Sequence, residues 1–304
     1  MELFLLRPRG FCAGVIRAIQ TVEKALELFG PPVFVKHQIV HNRQVVQKLE
    51  AAGAVFVEDL KTVPEGSYLI YSAHGVAPQV RREAKKRHLK EIDATCPLVE
   101  RLHLAAASYA KKGYRIILIG HFGHVEIQGI KAEAKEAAAV VENEGDLAQL
   151  NFPPGQKLFY LTQTTLGLEE AEKMQALLKA RYPGIETLKR SSVCYATFNR
   201  QTALKAVLDL VDLVLIVGDK SSSNSNRLKE LAEVRKPAFL IQTAAEIHPG
   251  LLKGVEKIAL SAGASTPEEE VQKCKARLIS LGVDKVVEKS FFQEKVLFPL
   301  PGGL

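Results

Sequence analysis

The sequence has few cysteines and no long hydrophobic run. Its four cysteines, Cys12, Cys96, Cys194 and Cys274, are spread over 304 residues without a close pair, which excludes the dense disulfide framework of a small secreted domain. No apolar run approaches the roughly 20 residues needed to cross a bilayer, and the N-terminus lacks the apolar core of a signal peptide. We therefore expect free thiols or metal ligands in a cytoplasmic protein.

Patterns that mark common ligand sites are also missing. The chain has no Cys-X-X-Cys pair, no GxGxxG dinucleotide pattern and no Walker phosphate loop. Its net charge of +7, from 41 basic and 34 acidic residues, suits an anionic substrate or an acidic protein partner. The densest basic run, 81–88, has no aromatic residue to stack on bases, so it indicates an exposed helix face and no nucleic-acid site.

Short β-rich runs alternate with helical stretches along the chain. The runs at 33–35, 68–71, 115–119 and 213–217 consist mainly of β-branched, leucine and aromatic residues. Each ends in a polar or glycine-containing loop. This alternation predicts an α/β fold of βαβ units with parallel sheets, in which ligands bind at the carboxyl ends of the strands.

Aligning the chain with itself on three cysteines reveals a repeat. Cys12, Cys96 and Cys194 each open a helical stretch and are separated by 84 and 98 residues. In each repeat two later strands end in polar residues. The first strand ends at His41, His124 or Ser222, at offsets of 29, 28 and 28 residues from the cysteine. The second ends at His74, Thr164 or Ser265, at offsets of 62, 68 and 71 residues.

The repeat predicts three similar α/β modules with small parallel sheets, arranged as a pseudo-threefold trefoil whose loops face a central site. The predicted modules are 13–95, 96–193, and 1–12 together with 194–285, followed by a C-terminal tail over 286–304. Regular strand spacing is common in α/β proteins, so coincidence is the alternative. The matching cysteines favour the repeat.

Three single cysteines indicate a particular kind of metal site. A 4Fe-4S cluster held by three thiolates keeps one iron open for substrate, which implies catalysis. The alternative is a structural zinc site of cysteine and histidine, although such sites usually bring their ligands in close pairs. Cys274 has no counterpart in the other repeats and is interpreted as a structural or exposed thiol.

Polar residues at the predicted strand ends suit a phosphate-containing ligand. Histidines, hydroxyls and amides can donate to phosphate oxygens from several sides. The candidates are His41, His74, His124, Ser222, Ser223, Asn224 and Ser265. Glu126, two residues beyond His124, is the carboxylate best placed to deliver a proton, and Thr164 and Thr165 are candidates to orient it or the substrate.

At these positions the sequence resembles the 4-hydroxy-3-methylbut-2-enyl diphosphate reductase family over nearly its whole length. Eight motifs in order carry the resemblance. They are Arg9-Gly10-Phe11-Cys12-Ala13-Gly14-Val15, Ile39-Val40-His41-Asn42, Ser72-Ala73-His74-Gly75-Val76, Asp93-Ala94-Thr95-Cys96-Pro97, Thr162-Gln163-Thr164-Thr165, Cys194-Tyr195-Ala196-Thr197 with Asn199-Arg200-Gln201, Ser222-Ser223-Asn224-Ser225-Asn226-Arg227-Leu228 and Ala262-Gly263-Ala264-Ser265-Thr266-Pro267.

The resemblance implies a trefoil around one 4Fe-4S cluster with Cys12, Cys96 and Cys194 as ligands, and an open iron that binds the substrate's hydroxyl oxygen. The implied reaction is a two-electron, two-proton reductive dehydration to isopentenyl and dimethylallyl diphosphates through an allylic intermediate, the last step of the methylerythritol phosphate pathway. Glu126 would supply protons, assisted by His124 and Thr164. Substrate would be held by His41, His74, His124, Thr164, Ser222, Ser223, Asn224 and Ser265. Ferredoxin or flavodoxin would supply electrons.

One segment departs from the family pattern. Relatives typically have a proline directly after the equivalent of His124, and then an acidic residue and a threonine near the equivalents of residues 128 and 130. Here these three positions are Val125, Gln128 and Ile130. We expect the chemistry to survive while the conformation of the loop or its proton relay differs.

Two other function classes stay open at this point. A zinc-dependent phosphohydrolase would use the same histidines but lacks paired metal ligands. A nonenzymatic phosphate-binding module would explain the basic charge and the strand-end loops but leaves three equivalent cysteines unexplained. The sequence carries no readable signal for dimerisation, and a monomer is expected because three fused repeats can close their own ring.

Overall fold

The computed structural model describes residues 1–304 and contains thirteen β-strands and ten α-helices. The strands are β1 (Glu2–Arg7), β2 (Val33–Lys36), β3 (Ala54–Val57), β4 (Tyr68–Tyr71), β5 (Lys90–Asp93), β6 (Arg115–Ile119), β7 (Ala138–Val141), β8 (Leu158–Thr162), β9 (Glu186–Thr187), β10 (Leu213–Val217), β11 (Ala238–Ile241), β12 (Lys257–Ala262) and β13 (Lys285–Ser290).

The α-helices lie between these strands and cover the sheets. They are α1 (Ala13–Phe29), α2 (Arg43–Ala51), α3 (Pro78–Lys86), α4 (Pro97–Lys111), α5 (Val125–Ala134), α6 (Glu144–Gln149), α7 (Leu168–Arg181), α8 (Tyr195–Lys205), α9 (Ser223–Glu233) and α10 (Glu268–Ser280). Short 3₁₀ helices cover Leu60–Thr62, Lys135–Ala137, Leu208–Leu210, Ala244–Glu246 and Pro249–Leu252.

Three separate parallel sheets confirm the predicted α/β class and the threefold repeat. Their strand orders are β3-β2-β4-β5, β7-β6-β8-β9 and β11-β10-β12-β1-β13. In each sheet the second strand of the order follows the helix that begins at one of the three cysteines. The fourth strand of the order comes just before another of these cysteines in the chain. In the third sheet this fourth strand is β1, which comes just before Cys12. All pairings are parallel.

The central strands are apolar on both faces because helices cover both sides of each sheet. Every residue of β8 and β10 is buried, as are the four apolar residues after Arg115 in β6. Local signals fix the helix ends. Pro97 opens α4, where its missing N–H costs nothing, and Asn143 and Asp146 form a capping box on α6.

The chain divides into two compact units. One contains Met1–Ile16, His41–Val45 and Tyr195–Leu297, and the other contains Arg17–Val40, Val46–Cys194 and Phe298–Leu304. The third sheet lies in the first unit, and the other two sheets lie in the second. Strand β13 pairs with β1 and occupies the start of the predicted C-terminal tail.

Candidate active site

The three repeat cysteines have the same local setting. Cys96 is the N-cap of α4, and Cys12 and Cys194 directly precede α1 and α8. All three are partly exposed. Each backbone N–H donates to a loop carbonyl beyond a neighbouring strand, at 3.1 Å to Ala264 from Cys12, 3.0 Å to Ala73 from Cys96 and 3.0 Å to Thr164 from Cys194. The thiols therefore stand at helix N-termini, where the backbone partial charge favours a thiolate.

Cys274 has a different environment. It is fully buried on α10 among apolar neighbours that include Val271 and Leu278. Burial raises the pKa of its thiol to about 12, with the charge of Glu270 adding to the effect. This thiol stays protonated at neutral pH, so it is a packing residue and unsuited to bind a metal.

The residues that end the first strand of each repeat occupy matching positions. His37, Gly120 and Gly218 each donate their N–H to the neighbouring strand, to Val57, Val141 and Ile241 at 3.1, 3.0 and 2.9 Å. Counting four residues on from each gives His41, His124 and Ser222, as the repeat predicts. His124 and Ser222 also directly precede the next helix, but in the first repeat the residue in that position is Asn42. The loop of the first repeat is one residue longer than the other two.

The second strand of each repeat requires a correction. Matching turns close after these strands, where Gly75, Leu166 and Thr266 donate their N–H groups to Ser72, Gln163 and Gly263 at 3.1, 3.3 and 3.1 Å. The residue before each donor is His74, Thr165 or Ser265. The alignment that pairs Thr164 with His74 and Ser265 is therefore wrong by one residue. The sequence alignment matched residues by side-chain type, whereas the corrected alignment matches them by the backbone hydrogen bonds of the turn.

Glu126 lies one residue into α5 and is almost completely buried. The backbone N–H of Thr164 donates to Oε1 at 2.7 Å, and its hydroxyl donates to Oε2 at 2.6 Å. Burial raises the pKa of Glu126, and the two hydrogen bonds from Thr164 oppose that rise. A carboxyl group that burial keeps protonated is suited to act as a general acid.

His124 is the N-cap of α5, and its Nδ1 accepts the backbone N–H of Glu126 at 3.2 Å. Nε2 therefore carries the proton and is a buried donor. Burial lowers the pKa of His124 to about 4, helped by the charge of His121. His74 packs edge-on against it, with 6.2 Å between ring centres. The structure thus brings Glu126, Thr164, His74 and His124 together in one unit.

The other unit gathers a second set of predicted residues. The hydroxyl of Ser265 lies 3.0 Å from the carbonyl oxygen of His41 and 3.3 Å from the hydroxyl of Ser222. Asn224 accepts the N–H of Ala264 at 2.9 Å. Ser222 caps α9 and Ser223 is its first residue, so these hydroxyls surround a helix N-terminus, which favours an anionic group.

The three residues that depart from the family pattern do not contact the Glu126 carboxyl. Gln128 is exposed and its amide donates to the carbonyl of Phe122. Ile130 is buried in the apolar core beneath α5. Val125 is the first residue of the helix. The hydrogen bonds that hold Glu126 come from Thr164.

Arg200 is a structural residue that sequence reasoning quoted within a motif but gave no role. Its side chain is completely buried and donates to the carbonyl of Gly10 at 2.8 Å, two residues before Cys12. It also forms an ion pair with Glu294 at 3.0 Å. It therefore ties the loop that precedes Cys12 to the C-terminal segment.

Replacing Arg200 by methionine is expected to lower the free energy of unfolding by about 3 to 5 kcal/mol, because it removes the ion pair of the largely buried Glu294, which keeps only the amide of Asn199, and the donor to the carbonyl of Gly10. Denaturant unfolding would measure the loss. Arg235→Met is the matched control, since Arg235 pairs with Asp209 on the surface and should matter little. Equal effects of the two substitutions would contradict the role of Arg200.

Two further features bear on the function class. No helix is long and apolar enough to span a bilayer. No three histidine, cysteine, aspartate or glutamate side chains are grouped so that they could hold one metal ion. An iron–sulfur cluster does not require such a group, because its thiolates bind different iron atoms.

Comparison with known proteins decides the family. The family model described as LytB protein matches residues 3–279. The chain belongs to the LytB family. Membership in the LytB family implies an iron–sulfur enzyme, in agreement with the partly exposed cysteines at equivalent helix starts.

Curated relatives in the LytB family are similar along their whole length. A 4-hydroxy-3-methylbut-2-enyl diphosphate reductase from Protochlamydia amoebophila is 57% identical over 302 residues, covering 99% of this chain and 96% of that protein. The reductase of the same name from Chlamydia abortus is 54% identical over 305 residues, covering 100% of this chain and 99% of that protein.

Solved LytB structures share the fold. The E-1-hydroxy-2-methyl-but-2-enyl-4-diphosphate reductase from Plasmodium falciparum has a TM-score of 0.97 and 48% identity, covering 99% of this chain and 95% of that one. A second structure, described as (E)-4-hydroxy-3-methyl-but-2-enyl diphosphate reductase, the terminal enzyme of the non-mevalonate pathway, has a TM-score of 0.66 and 29% identity, covering 92% and 99%.

Proposed function

We propose that the chain catalyses the reductive dehydration of 4-hydroxy-3-methylbut-2-enyl diphosphate to isopentenyl and dimethylallyl diphosphates, the last step of the methylerythritol phosphate pathway. The observation that carries the proposal is the buried Glu126, which Thr164 holds by two hydrogen bonds at 2.7 and 2.6 Å in a chain of the LytB family. The reaction consumes two electrons and two protons and releases one water.

The donor set of the chain fits one 4Fe-4S cluster bound by Cys12, Cys96 and Cys194. Each of these thiols is partly exposed and at a helix start, whereas Cys274 is buried and protonated. When bound, the cluster supplies electrons and an open iron for the hydroxyl group that leaves. The remaining steps fall to the side chains.

Glu126 is the proton donor in this proposal. Its carboxyl group gives a proton to the substrate, and the two Thr164 donors then stabilise the carboxylate that remains. His124 is neutral near pH 7 because burial lowers its pKa to about 4, so it contributes an Nε2–H donor without a charge. Thr164 and His124 thereby orient the acid and the substrate.

The diphosphate is held, in our proposal, by His41, His74, His124, Thr164, Ser222, Ser223, Asn224 and Ser265. Hydroxyl, amide and imidazole donors can satisfy phosphate oxygens without a divalent cation. The close approach of Ser222 and Ser265, at 3.3 Å, and the position of Ser222 and Ser223 at the start of α9 support this assignment.

We infer further that the three repeats form modules over 13–95, 96–193, and 1–12 with 194–285, and that the protein acts as a monomer in the cytoplasm. The three corresponding strand orders support the module assignment. Ferredoxin or flavodoxin is the proposed electron donor, since both are acidic and this chain carries a net charge of +7.

Anaerobic purification followed by iron, sulfide and Mössbauer analysis tests the proposal. We expect about four iron atoms per chain and one iron site that changes when the hydroxylated diphosphate is added. Reduced ferredoxin should then convert that substrate to the two products. Retention of zinc without iron after anaerobic reconstitution would refute the proposal and favour a phosphohydrolase, which neither the family nor the relatives support.

A further inference from the structure

Each helix that begins at a repeat cysteine carries an arginine in its second turn. The arginines are Arg17 in α1, Arg101 in α4 and Arg200 in α8. They lie five, five and six residues after the cysteine that opens each helix. The threefold repeat therefore includes a basic residue to which neither the proposed cluster ligands nor the proposed substrate contacts give a role.

The arginine of the first repeat contacts the segment that precedes the second cysteine. Nη1 of Arg17 donates to the carbonyl of Thr95 at 3.0 Å, and Nη2 donates to that of Asp93 at 3.3 Å. Both carbonyls lie within three residues of Cys96. Nε donates to the carbonyl of Pro299 at 2.7 Å. One planar guanidinium group thus binds three carbonyl oxygens, a geometry that a lysine ammonium does not reproduce.

The other two arginines make corresponding contacts. Nη2 of Arg101 donates to the carbonyl of Ser191 at 2.7 Å, three residues before the third cysteine. Nη2 of Arg200 donates to the carbonyl of Gly10 at 2.8 Å, two residues before the first cysteine. Each contact lies within one of the two compact units. Each arginine therefore contacts the cysteine segment of the following repeat, and the third contact returns to the first repeat.

The contacted segments are turns between a strand and a helix. Oδ1 of Asp93 accepts the N–H of Thr95 at 2.9 Å, and Oγ of Ser191 accepts the N–H of Val193 at 3.2 Å. These are matching side-chain turns just before two of the cysteines. Before the first cysteine the chain turns at Gly10, whose φ is 68°. Because the turns lie outside the regular hydrogen bonds of sheet and helix, an arginine donor adds to the few bonds that fix them.

We propose that Arg17, Arg101 and Arg200 are positioning residues for the cluster, and that each holds the segment before the next cysteine in place. This inference rests on the proposed function, because that function assigns the cluster to the three cysteines. The arginines act by hydrogen bonds alone, and no proton or electron passes through them.

The physical reason is that the three proposed ligands come from distant parts of the chain. A segment that must be ordered when the cluster binds costs conformational entropy, and a segment already held in place does not. Hydrogen bonds from a charged donor are stronger than those between neutral groups, so a guanidinium group suits this task. The order of the contacts gives a specific expectation: a substitution in one helix should loosen the cysteine of the next repeat and leave its own cysteine unchanged.

Hydrogen exchange of the full-length protein tests this order. The reporter is the backbone N–H of Cys194, which donates to the carbonyl of Thr164 at 3.0 Å. In Arg101→Met we expect this amide to exchange about tenfold faster, as when one charge-assisted hydrogen bond is lost. The amide of Cys96, at the start of the same helix as Arg101, should keep its wild-type rate. Arg17→Met should give the converse result, with faster exchange at Cys96 and no change at Cys194.

Two kinds of variant separate positioning from a general loss of packing. Arg181→Met is the matched control for Arg101→Met, since Nη2 of Arg181 donates to the carbonyl of Leu150 at 2.7 Å in the same unit. It removes a bond of the same kind and length and should change neither amide. Arg101→Lys keeps a donor for one carbonyl and should restore most of the slow exchange. Arg17→Lys should not, because its ammonium group does not span three carbonyls.

Cluster loss from the holoenzyme provides the second measurement. Each protein is treated with excess EDTA without oxygen, and the visible absorbance of the cluster is followed over time. Arg101→Met should lose its cluster about tenfold faster than wild type, at the lower end of the usual effect of an outer-shell partner on metal affinity. Arg101→Lys and Arg181→Met should stay close to the wild-type rate.

The outcomes distinguish the positioning role from the proposed function. Wild-type exchange at Cys194 in Arg101→Met would overturn the proposal, and so would faster exchange at Cys96 in that variant, since it would show that α4 itself had loosened. Faster exchange at Cys194 combined with wild-type cluster loss would also overturn it. A wild-type protein that binds no iron would instead refute the proposed function, and the exchange pattern would still decide whether the arginines hold the cysteine segments.

Discussion

Replacing Cys96 by serine is expected to remove the intact cluster. Cys96 is the N-cap of α4, and its backbone N–H donates to the carbonyl of Ala73 at 3.0 Å. Serine keeps that backbone geometry but exchanges a soft thiolate for a hydroxyl that binds iron poorly. Iron should fall from about four atoms per chain to well under half of that amount after anaerobic reconstitution, and turnover should disappear with it.

Cys274→Ala provides the matched control. Cys274 is fully buried among apolar residues, and its pKa of about 12 keeps it from serving as a thiolate. The substitution removes one buried sulfur atom and should cost some stability while leaving the iron content unchanged. Equal iron in Cys96→Ser and wild type would show that the three cysteines do not share a cluster, as would loss of iron in Cys274→Ala.

The repeat could be predicted from the sequence because it depends on chain order. Each cysteine follows a strand and opens a helix, and each later strand ends at a similar offset, so spacing alone indicated corresponding sheets. The observed strand orders confirm this. The side-chain alignment at Thr164 was wrong because hydroxyl residues occupy two successive positions there. The backbone bonds of Leu166 to Gln163 and of Cys194 to Thr164 distinguish the two positions.

Features that depend on long-range packing were not readable. Arg200 contacts Glu294, 94 residues away, and neither residue carries a local signal for an ion pair. His103 and Glu133 lie 30 residues apart on different helices. The space for the His103 ring depends on the absence of a side chain at Gly129, which a single sequence presents only as a helix-weakening glycine. Such a glycine inside a helix is the one signal that could have indicated the contact.

Replacing Glu126 by glutamine is expected to lower kcat by about 100-fold to 10,000-fold, the usual contribution of a positioned acid. Glutamine has nearly the same shape, and its amide can keep the hydrogen bonds to the N–H and hydroxyl of Thr164. Iron content and substrate binding should therefore stay close to wild type. Glu136→Gln, an exposed change just beyond α5, is the control for a general loss of charge.

The same substitution should change stability in a way that depends on pH. Burial raises the pKa of Glu126, so the folded state keeps its proton to a higher pH than the unfolded chain does. The stability linked to this proton is complete below the ordinary carboxyl pKa and is lost as the pH rises through the raised value. Glutamine does not titrate, so the free energy of unfolding of Glu126→Gln relative to wild type should increase across that interval. Unfolding curves over a pH series measure this difference, and a constant difference combined with wild-type turnover would show that Glu126 is neither a buried acid nor the proton donor.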